Sequence, residues 1–272
     1  MKPILVFSLL LLIGKFVFAQ EDPNAERLMK PATVTELYNP IPIVQASTDH
    51  TAPSDGIVLY DGKNKDSWQK HPYKIDARMN KIDPIIRSLK VPYTSEPIEW
   101  EIQNTDLVVK AGTGAIATKQ AFGDVQLHLE WNSPVDEGKS GQYYSNSGVF
   151  FMGLYEVQIL NSFENETYHN GQASSVYKQH IPLVNASRPP GEWQVYDIIF
   201  MAPRFSEKGS LISPARITVF HNGILTQNNV SLLGPTCFIG TPYYVPHPSK
   251  LPLVLQDHGD PVRFRNIWIR EL

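Results

Sequence analysis

The clearest pattern along the chain is an alternation of apolar and polar residues over short stretches, which predicts β-strands with one face on a core. Residues 125–131 place valine, leucine and tryptophan on one face, with His128 and Glu130 on the other. Residues 155–160 repeat the arrangement, with Glu156 on the polar face. If the two strands belong to one sheet, we expect a polar, ionisable surface on an apolar sandwich.

Other short apolar or alternating runs predict the remaining strands. They are residues 56–60, 100–102, 107–110, 115–118, 148–151, 195–200, 215–220, 224–226, 251–256 and 262–270. His221-Asn222-Gly223 separates two of them and predicts a hairpin turn of the Asn-Gly type. Many short strands without intervening helices predict an all-β fold of two packed antiparallel sheets.

Composition agrees with a single large β domain. A chain of 272 residues with 42% hydrophobic residues can bury a sizeable core. The formal charge of −3 is nearly balanced, so nothing indicates nucleic acid or an anionic membrane surface as a partner.

The first residues resemble an export signal. Residues 1–19 contain Lys2, an apolar run and a small residue, Ala19, at the expected cleavage position. A membrane anchor is the alternative, but the run is shorter than the roughly 20 residues that span a bilayer, and Lys15 interrupts it. We therefore expect a secreted or periplasmic protein with no membrane anchor.

The rest of the chain divides into an arm and a domain. Residues 20–53 are polar and rich in proline, which predicts an extended arm, and residues 54–272 form the β-sandwich domain. Within the domain, residues 69–97 read as an insertion over the sheet edge or rim. Cys237 is the only cysteine, so no intrachain disulfide can form, and we expect it to be a small buried filler.

Several motifs, in order along the domain, resemble one family. They are LYDGK (59–63) with Trp68, FGD (122–124), LHLEW (127–131), NSGV (146–149), YEVQ (155–158), NASRPPGEW (185–193), VFHNG (219–223) and LQDHGDPVRFRNIWIRE (255–271). Together they are similar to the 3-keto-disaccharide hydrolase family. The resemblance implies a jelly roll of the concanavalin A-like lectin/glucanase type, acting on 3-keto glycosides as small carbohydrate substrates. The insertion is longer than expected for that family.

The residue types on the predicted strands limit which cleavage mechanism the chain could use. Retaining glucanases use two carboxylates about 5–5.5 Å apart. The matching strand here offers Glu156 and Gln158, hence one carboxylate. Cleavage of a 3-keto glycoside needs different catalytic groups. The ketone acidifies the hydrogen on C2 and allows elimination of the glycosidic oxygen, followed by addition of water. One base, one acid and an electrophile for the enolate then suffice.

Four residues are the catalytic candidates. Glu156 is the first choice for a base or metal ligand; the alternative is a strand carboxylate paired with an arginine. His258, with Asp257 before it, is the candidate general acid or metal ligand, and the alternative is a polar turn. Arg263 would hold an oxyanion or a carboxylate. We expect Glu156, His258 and Arg263 to converge in one pocket.

A wider set is expected to bind substrate. It consists of Gln158, Glu130, His128, Asn146, His180, Lys178 and Trp193. Three of them have a structural alternative: Glu130 could pair with Arg263 or Arg265, His180 could be a hydrogen-bonded loop residue, and Trp193 is expected to be a plain core residue. Glu156, His180 and His258 could also assemble a divalent-cation site, although no motif of tight ligand spacing supports it.

Two functions of different classes follow. The first is an exported hydrolase or lyase that cleaves glycosidic bonds of 3-keto-disaccharides or 3-keto-glycosides. The second is a non-catalytic, lectin-like carbohydrate-binding module, because the same sandwich serves both purposes. An ionisable cluster in a pocket favours the enzyme, whereas a flat aromatic strip favours the module.

Overall fold

The computed structural model describes residue 31 and residues 33–48, 51–72 and 92–272. The expected export signal and most of the insertion at residues 69–97 lie outside the described residues. The chain divides into two compact units, Met1–Ile43 and Val44–Leu272. In the first unit, the described residues include a 3-10 turn at Thr33–Thr35 and no buried side chain. None of the described helical segments is long and apolar enough to cross a membrane.

The described residues of the second unit form fifteen strands, β1 to β15. Their bounds are Ile57–Tyr60 (β1), Trp68–Lys70 (β2), Glu101–Gln103 (β3), Asp106–Val108 (β4), Ile116–Phe122 (β5), Val125–Asn132 (β6), Ser147–Phe151 (β7), Tyr155–Ile159 (β8), Trp193–Met201 (β9), Arg204–Phe205 (β10), Leu211–Ser213 (β11), Arg216–His221 (β12), Ile224–Ser231 (β13), Leu251–Leu255 (β14) and Arg263–Glu271 (β15). Each strand predicted from the alternation is present, with ends shifted by up to a few residues. Three short strands, β2, β10 and β11, were not predicted. Each has only two or three residues, and no alternation of apolar and polar residues was recognised in them.

The strands form a two-sheet antiparallel sandwich of jelly-roll type. The eight-stranded sheet has the order β13-β12-β9-β6-β15-β4-β3, with β1 also pairing with β15, and the five-stranded sheet has the order β2-β5-β14-β7-β8. Strands β10 and β11 form a separate ribbon. One apolar cluster between the sheets takes Leu127 and Leu129 from β6 and Tyr155, Val157 and Ile159 from β8. The prediction of an all-β sandwich is confirmed.

The hairpin between β12 and β13 forms where the sequence placed it. Asn222 and Gly223 have φ angles of 53° and 79°. Positive φ at both central residues is what a two-residue hairpin turn of this type requires, and asparagine and glycine tolerate it best. The turn pairs His221 with Ile224 and so fixes the register of the two strands.

The two polar-faced strands lie in different sheets, contrary to the arrangement that would give one shared polar surface. Strand β6 is central in the eight-stranded sheet, whereas β8 is at the end of the five-stranded sheet. Both strands turn their apolar residues into the shared core. Because side chains alternate along a strand, the polar residues of β6 and β8 face away from that core on opposite sides of the sandwich.

Trp68 anchors the core at the start of β2. It is 1% exposed, and its indole N–H donates to the Leu59 carbonyl over 2.9 Å. Replacing it with alanine should lower the free energy of unfolding by about 3–5 kcal/mol, since a large cavity and an unpaired carbonyl result. Chemical denaturation measures the change. Ile212→Ala, at an exposed position in β11, serves as the control and should stay within about 0.5 kcal/mol of wild type; an equal loss in both variants would contradict the assignment.

Candidate active site

Glu156 lies on the outward side of the five-stranded sheet, yet it is not open to solvent. Its side chain is 4% exposed, and burial raises the pKa of its carboxyl group well above the ordinary value of 4.5. In the described part of the chain it forms no ion pair, so the predicted alternative of an arginine partner is not what the fold provides. Burial without a neighbouring cation disfavours the charged form of the carboxyl group, which is why its pKa is raised.

Gly148 provides the space that the Glu156 carboxyl group occupies. The residue pairs with Gln158 across the ladder between β7 and β8. A Cβ atom added to Gly148 would lie 2.4 Å from Glu156 Oε1 and 2.9 Å from the Phe150 ring. Gly148 is thus inside β7, and the group that approaches it most closely is the carboxyl group of the candidate catalytic acid.

A cluster of side-chain amides lies next to the acid and reaches it through Gln158. Asn146 Nδ2 donates to the Gln142 carbonyl over 2.9 Å, and the terminal atoms of Gln158 approach Gln142 Oε1 within 3.3 Å and Asn146 Oδ1 within 3.5 Å. Gln142 is itself held by the Gly171 carbonyl over 2.9 Å. Gln158 and Asn146, both predicted to bind substrate, therefore lie together in this amide cluster.

Gln158 can serve both protonation states of Glu156. With its amide nitrogen turned toward the acid, it donates to Glu156 Oε1 over 3.0 Å. With the amide reversed, its oxygen occupies that position and can accept a proton from the neutral carboxyl group. A group that gains and loses a proton during a reaction benefits from such a partner, because neither state is left without a hydrogen bond.

Two tyrosines and a lysine complete this side of the site. The Tyr168 and Tyr177 hydroxyls form a short hydrogen bond of 2.5 Å, and Lys178 Nζ lies 4.6 Å from the centre of the Tyr168 ring. Burial raises the pKa of both tyrosines, and the nearby Glu156 charge adds to the effect. Both hydroxyls are therefore neutral donors at physiological pH. Lys178, an expected substrate contact, is exposed beside them.

The raised pKa of Glu156 has a consequence for stability. Because the folded state binds this proton more tightly than the unfolded state, stability falls as pH rises from about 4.5 toward the raised pKa. Glu156→Gln removes the linkage, so its stability relative to wild type should increase over that window, by up to about 1.4 kcal/mol per pH unit. Thermal denaturation of both proteins between about pH 5 and 8 tests this; a constant difference would contradict a buried, protonated acid.

The loop after β14 contributes the predicted Asp257 and His258. Asp257 accepts hydrogen bonds from the backbone N–H groups of Gly114 and Gly259, over 2.9 and 3.0 Å, which is the role of a turn-forming residue. His258 is exposed; partial desolvation lowers its pKa, and the carboxylates of Asp260 and Asp257 oppose that shift. The loop starts beside the acid's strand pair, because Gln256 N donates to the Gly148 carbonyl over 3.0 Å.

Arg263 does not join this group, so the expected convergence with Glu156 and His258 is wrong. It lies in β15 of the eight-stranded sheet, and its guanidinium pairs with Asp106 Oδ2 over 2.5 Å. Phe264, the next residue, faces the core, so Arg263 faces the opposite side of the sandwich from Glu156. The alternation shows which face of a strand a residue takes, but not which sheet the strand joins.

His128, Glu130 and Trp193 are also separated from Glu156. Glu130 Oε2 accepts from Arg265 Nε over 2.6 Å, which confirms the predicted pairing with Arg265. Trp193 is half-buried and lies under the Arg265 guanidinium, so the expectation of a core residue is wrong. All three face outward from the eight-stranded sheet and cannot share a pocket with the acid.

The predicted metal site does not assemble. His180 Nε2 lies 2.8 Å from the Ser231 carbonyl, which is the structural role weighed for it. Among the described residues, no group of three or more histidine, cysteine, aspartate or glutamate side chains is arranged to hold a metal ion. Glu156, His180 and His258 are all described residues, so the prediction that they form a metal site is wrong.

Sequence reasoning missed Gln142 and Tyr168. Gln142 belongs to a 3-10 turn at Gly141–Tyr143, and Tyr168 precedes another at His169–Gly171. Both reach the site from long loops without periodicity. Only Tyr168 had any signal in the sequence. The Asn-Gly pair that closely follows it predicts a turn, but it does not predict that the tyrosine belongs to the site.

Comparisons with known proteins agree with this architecture. The model of a family described as a 3-keto-alpha-glucoside-1,2-lyase-like domain matches residues 55–270. A crystal structure of a protein from Parabacteroides distasonis ATCC 8503, assigned as a glycosyl hydrolase, is 41% identical, with a TM-score of 0.74 over 88% of this chain and 95% of that one. A second structure so assigned, from the same organism, is 16% identical, with a TM-score of 0.53 over 85% of this chain and 100% of that one, and shows the fold alone. No protein of curated function matches the chain.

Proposed function

Because the chain belongs to the family of 3-keto-alpha-glucoside-1,2-lyase-like domains, we propose that it cleaves the glycosidic bond of a 3-keto-disaccharide or 3-keto-glycoside, with Glu156 as the proton-transferring group. The family and its glycosyl hydrolase relatives give the coarser statement, a glycoside hydrolase-like enzyme. The observation that carries the finer proposal is the buried Glu156 carboxyl group, which has Gln158 beside it and no ion-pair partner among the described residues.

The proposed reaction begins at the carbon next to the ketone. The Glu156 carboxylate removes the C2 proton, and the electrons of that bond form the C2–C3 enolate. When the enolate collapses, a C1–C2 double bond forms and the C1–oxygen bond breaks, with the leaving oxygen taking a proton. Water then adds, its hydroxyl to C1 and a proton to C2, which yields the free 3-keto sugar. Glu156 acts as the base at C2 in this sequence, and a second group protonates the leaving oxygen.

Neighbouring groups fit the remaining needs of the reaction. In the Tyr168–Tyr177 hydrogen bond one hydroxyl donates to the other, so one O–H remains able to donate to the enolate oxygen. Lys178 adds a positive charge next to the pair. His258, on the loop that leaves β14 beside Gly148, is proposed as the acid for the leaving oxygen.

Export is part of the proposal. Residues 1–19 combine a basic residue, an apolar run and a small residue before the cleavage position, as secretory signals do. We therefore place the reaction outside the cytoplasm, in the periplasm or beyond it. Mass spectrometry of the protein from culture fractions, beginning at Gln20, would agree with this.

The test uses the purified protein with 3-keto-trehalose or a 3-keto-glucoside. Release of free sugar, followed by nuclear magnetic resonance, is expected for the ketone substrates, whereas the unoxidised glycosides should remain intact because their C2 hydrogens are not acidic. Cleavage of unoxidised glycosides at an equal rate would contradict the mechanism. Binding of the ketone substrate without turnover would instead favour the lectin-like module.

A further inference from the structure

The outward side of the eight-stranded sheet contains a groove of about 540 Å³, which we call the outer groove. Strands β6, β9 and β15 form its floor, and residues before β1 form one wall. Its volume falls within the range of small-ligand sites, which is about 300–1,000 Å³. Because this side faces away from Glu156 across the sandwich, the proposed reaction leaves the groove without a role.

The floor is rigidly organised around Glu130. This carboxylate accepts from Arg265 Nε over 2.6 Å and from Asn266 Nδ2 over 2.9 Å. Burial would raise the pKa of Glu130, but hydrogen bonds from His128, Asn266 and Arg265 outweigh it and lower the pKa to about 2. Asn266, at a φ of 46°, lies in a bulge between Arg265 and Trp268, and bulges re-aim side chains near binding sites.

Aromatic rings hold the charged groups of the floor in place. The Arg265 guanidinium lies 3.9 Å from the centre of the Trp193 ring. His128 stacks on Trp268 with ring centres 5.2 Å apart and planes 7° from parallel, and its Nδ1 lies 2.7 Å from Asp197 Oδ1. Side chains locked by stacking and by hydrogen bonds are the kind of support that preorganised binding sites use.

The groove retains cationic donors after its internal pairs are formed. Glu130 is paired with Arg265, and Asp197 with His128. In the described part of the chain, Arg265 uses only Nε as a donor and Arg188 uses Nη1, toward the Trp193 carbonyl over 2.9 Å. The N–H groups on the other guanidinium nitrogens can therefore donate to a ligand. A guanidinium group can bind a carboxylate through two parallel hydrogen bonds.

Hydroxyl and amide groups line the remainder of the groove. Ser47, Thr48 and Thr51 border one side, and Gln126 adds an amide from β6. Such groups donate to and accept from the hydroxyls of a sugar ring. Together with the guanidinium groups, they match a polyhydroxylated ligand that also carries a negative charge.

We propose that the outer groove is a second carbohydrate site, which binds a sugar bearing a carboxylate, such as a uronic acid residue of a glycan. Arg188 and Arg265 bind the carboxylate, and the hydroxyl-lined wall binds the ring. The site would hold the enzyme on an acidic glycan while the reaction proceeds on the opposite side of the sandwich. This inference does not depend on the reaction proposed for Glu156.

Calorimetric titration of the full-length protein with D-glucuronate tests the proposal, with D-glucose and acetate as separate ligands. We expect glucuronate to bind at least about tenfold more tightly than either, since glucose lacks the carboxylate and acetate lacks the sugar hydroxyls. Equal binding of acetate would indicate a simple anion site, and equal binding of glucose a neutral-sugar site; either result, like no binding of glucuronate, would overturn the proposal.

Variants locate the site. Arg188→Gln should weaken glucuronate binding by about tenfold or more, whereas Arg216→Gln, at an exposed arginine of β12, should leave it unchanged. Glu156→Gln should also leave it unchanged, which separates this site from the proposed active site. Binding that persists in Arg188→Gln, or that is lost in Glu156→Gln, would place the ligand elsewhere and refute the assignment.

Discussion

Glu156→Gln is expected to lower the turnover of a 3-keto-glycoside by about 10²- to 10⁴-fold, because an amide cannot accept the C2 proton. The fold should be retained. Burial disfavours the charged carboxylate at this position, and glutamine has nearly the same shape as glutamate and can still hydrogen-bond to Gln158. Initial rates of sugar release, measured at saturating and at low substrate, give the loss in kcat and in kcat/KM.

The matched control applies the same substitution at an exposed glutamate. Glu207→Gln lies in the turn between β10 and β11 and should leave turnover within twofold of wild type. Unaltered turnover by Glu156→Gln, or equal losses in both variants, would remove Glu156 from the proposed chemistry.

Gly148→Ala should reduce turnover by about tenfold to a hundredfold although the protein still folds. The added Cβ would lie 2.4 Å from Glu156 Oε1, so the carboxyl group must move. It is the far end of a flexible side chain and can yield, whereas a displacement of about 1 Å in a reacting group can cost roughly 10²-fold in rate. Rates and thermal stability measured together separate misplacement of the acid from loss of folding.

Gly138→Ala is the comparison for this variant. At Gly138 the nearest atom to an added Cβ is Asp136 Oδ1 at 3.4 Å, and the residue is exposed. Turnover should therefore be unchanged. If Gly148→Ala retained wild-type turnover, the position of the Glu156 carboxyl group would not matter to the reaction.

The strands were predictable from sequence because each obeys a local rule. Alternation places Leu127 and Val157 on the core and Glu130 and Glu156 away from it, and both expectations hold. The pairing of strands is not local. Nothing within β6 or β8 says that one belongs to the eight-stranded sheet and the other to the five-stranded sheet, so the polar faces of two opposite surfaces were combined into one expected site.

Arg263 and Trp193 show the same limit at the level of single residues. The sequence indicates a cation at the start of β15 and an aromatic ring at the start of β9. Their partners, Asp106 for Arg263 and Arg265 for Trp193, are set by strands that meet only in the folded sheet. Long-range register decides whether such a group is catalytic, structural or part of a groove.

Loop residues were the least predictable part of the site. Tyr168 lies near Glu156 and Gln142 contacts Gln158; both come from stretches without periodicity, and their positions depend on two 3-10 turns. Asn266 reaches the outer groove through a bulge that shifts the ladder between β6 and β15. A turn or a bulge changes the direction of side chains within one residue. Such a change leaves no repeating pattern of apolar and polar residues in the sequence.

Transfer of the C2 proton to Glu156 is the central claim, and isotope incorporation in D₂O tests it most directly. The wild-type protein should release a 3-keto sugar that carries one deuterium at C2, because that hydrogen returns from solvent when water adds. The released sugar, incubated alone for the same time, corrects for spontaneous exchange next to the ketone. Release of a product that keeps its original C2 hydrogen, at a rate that does not change when C2 of the substrate carries deuterium, would contradict elimination and with it the role assigned to Glu156.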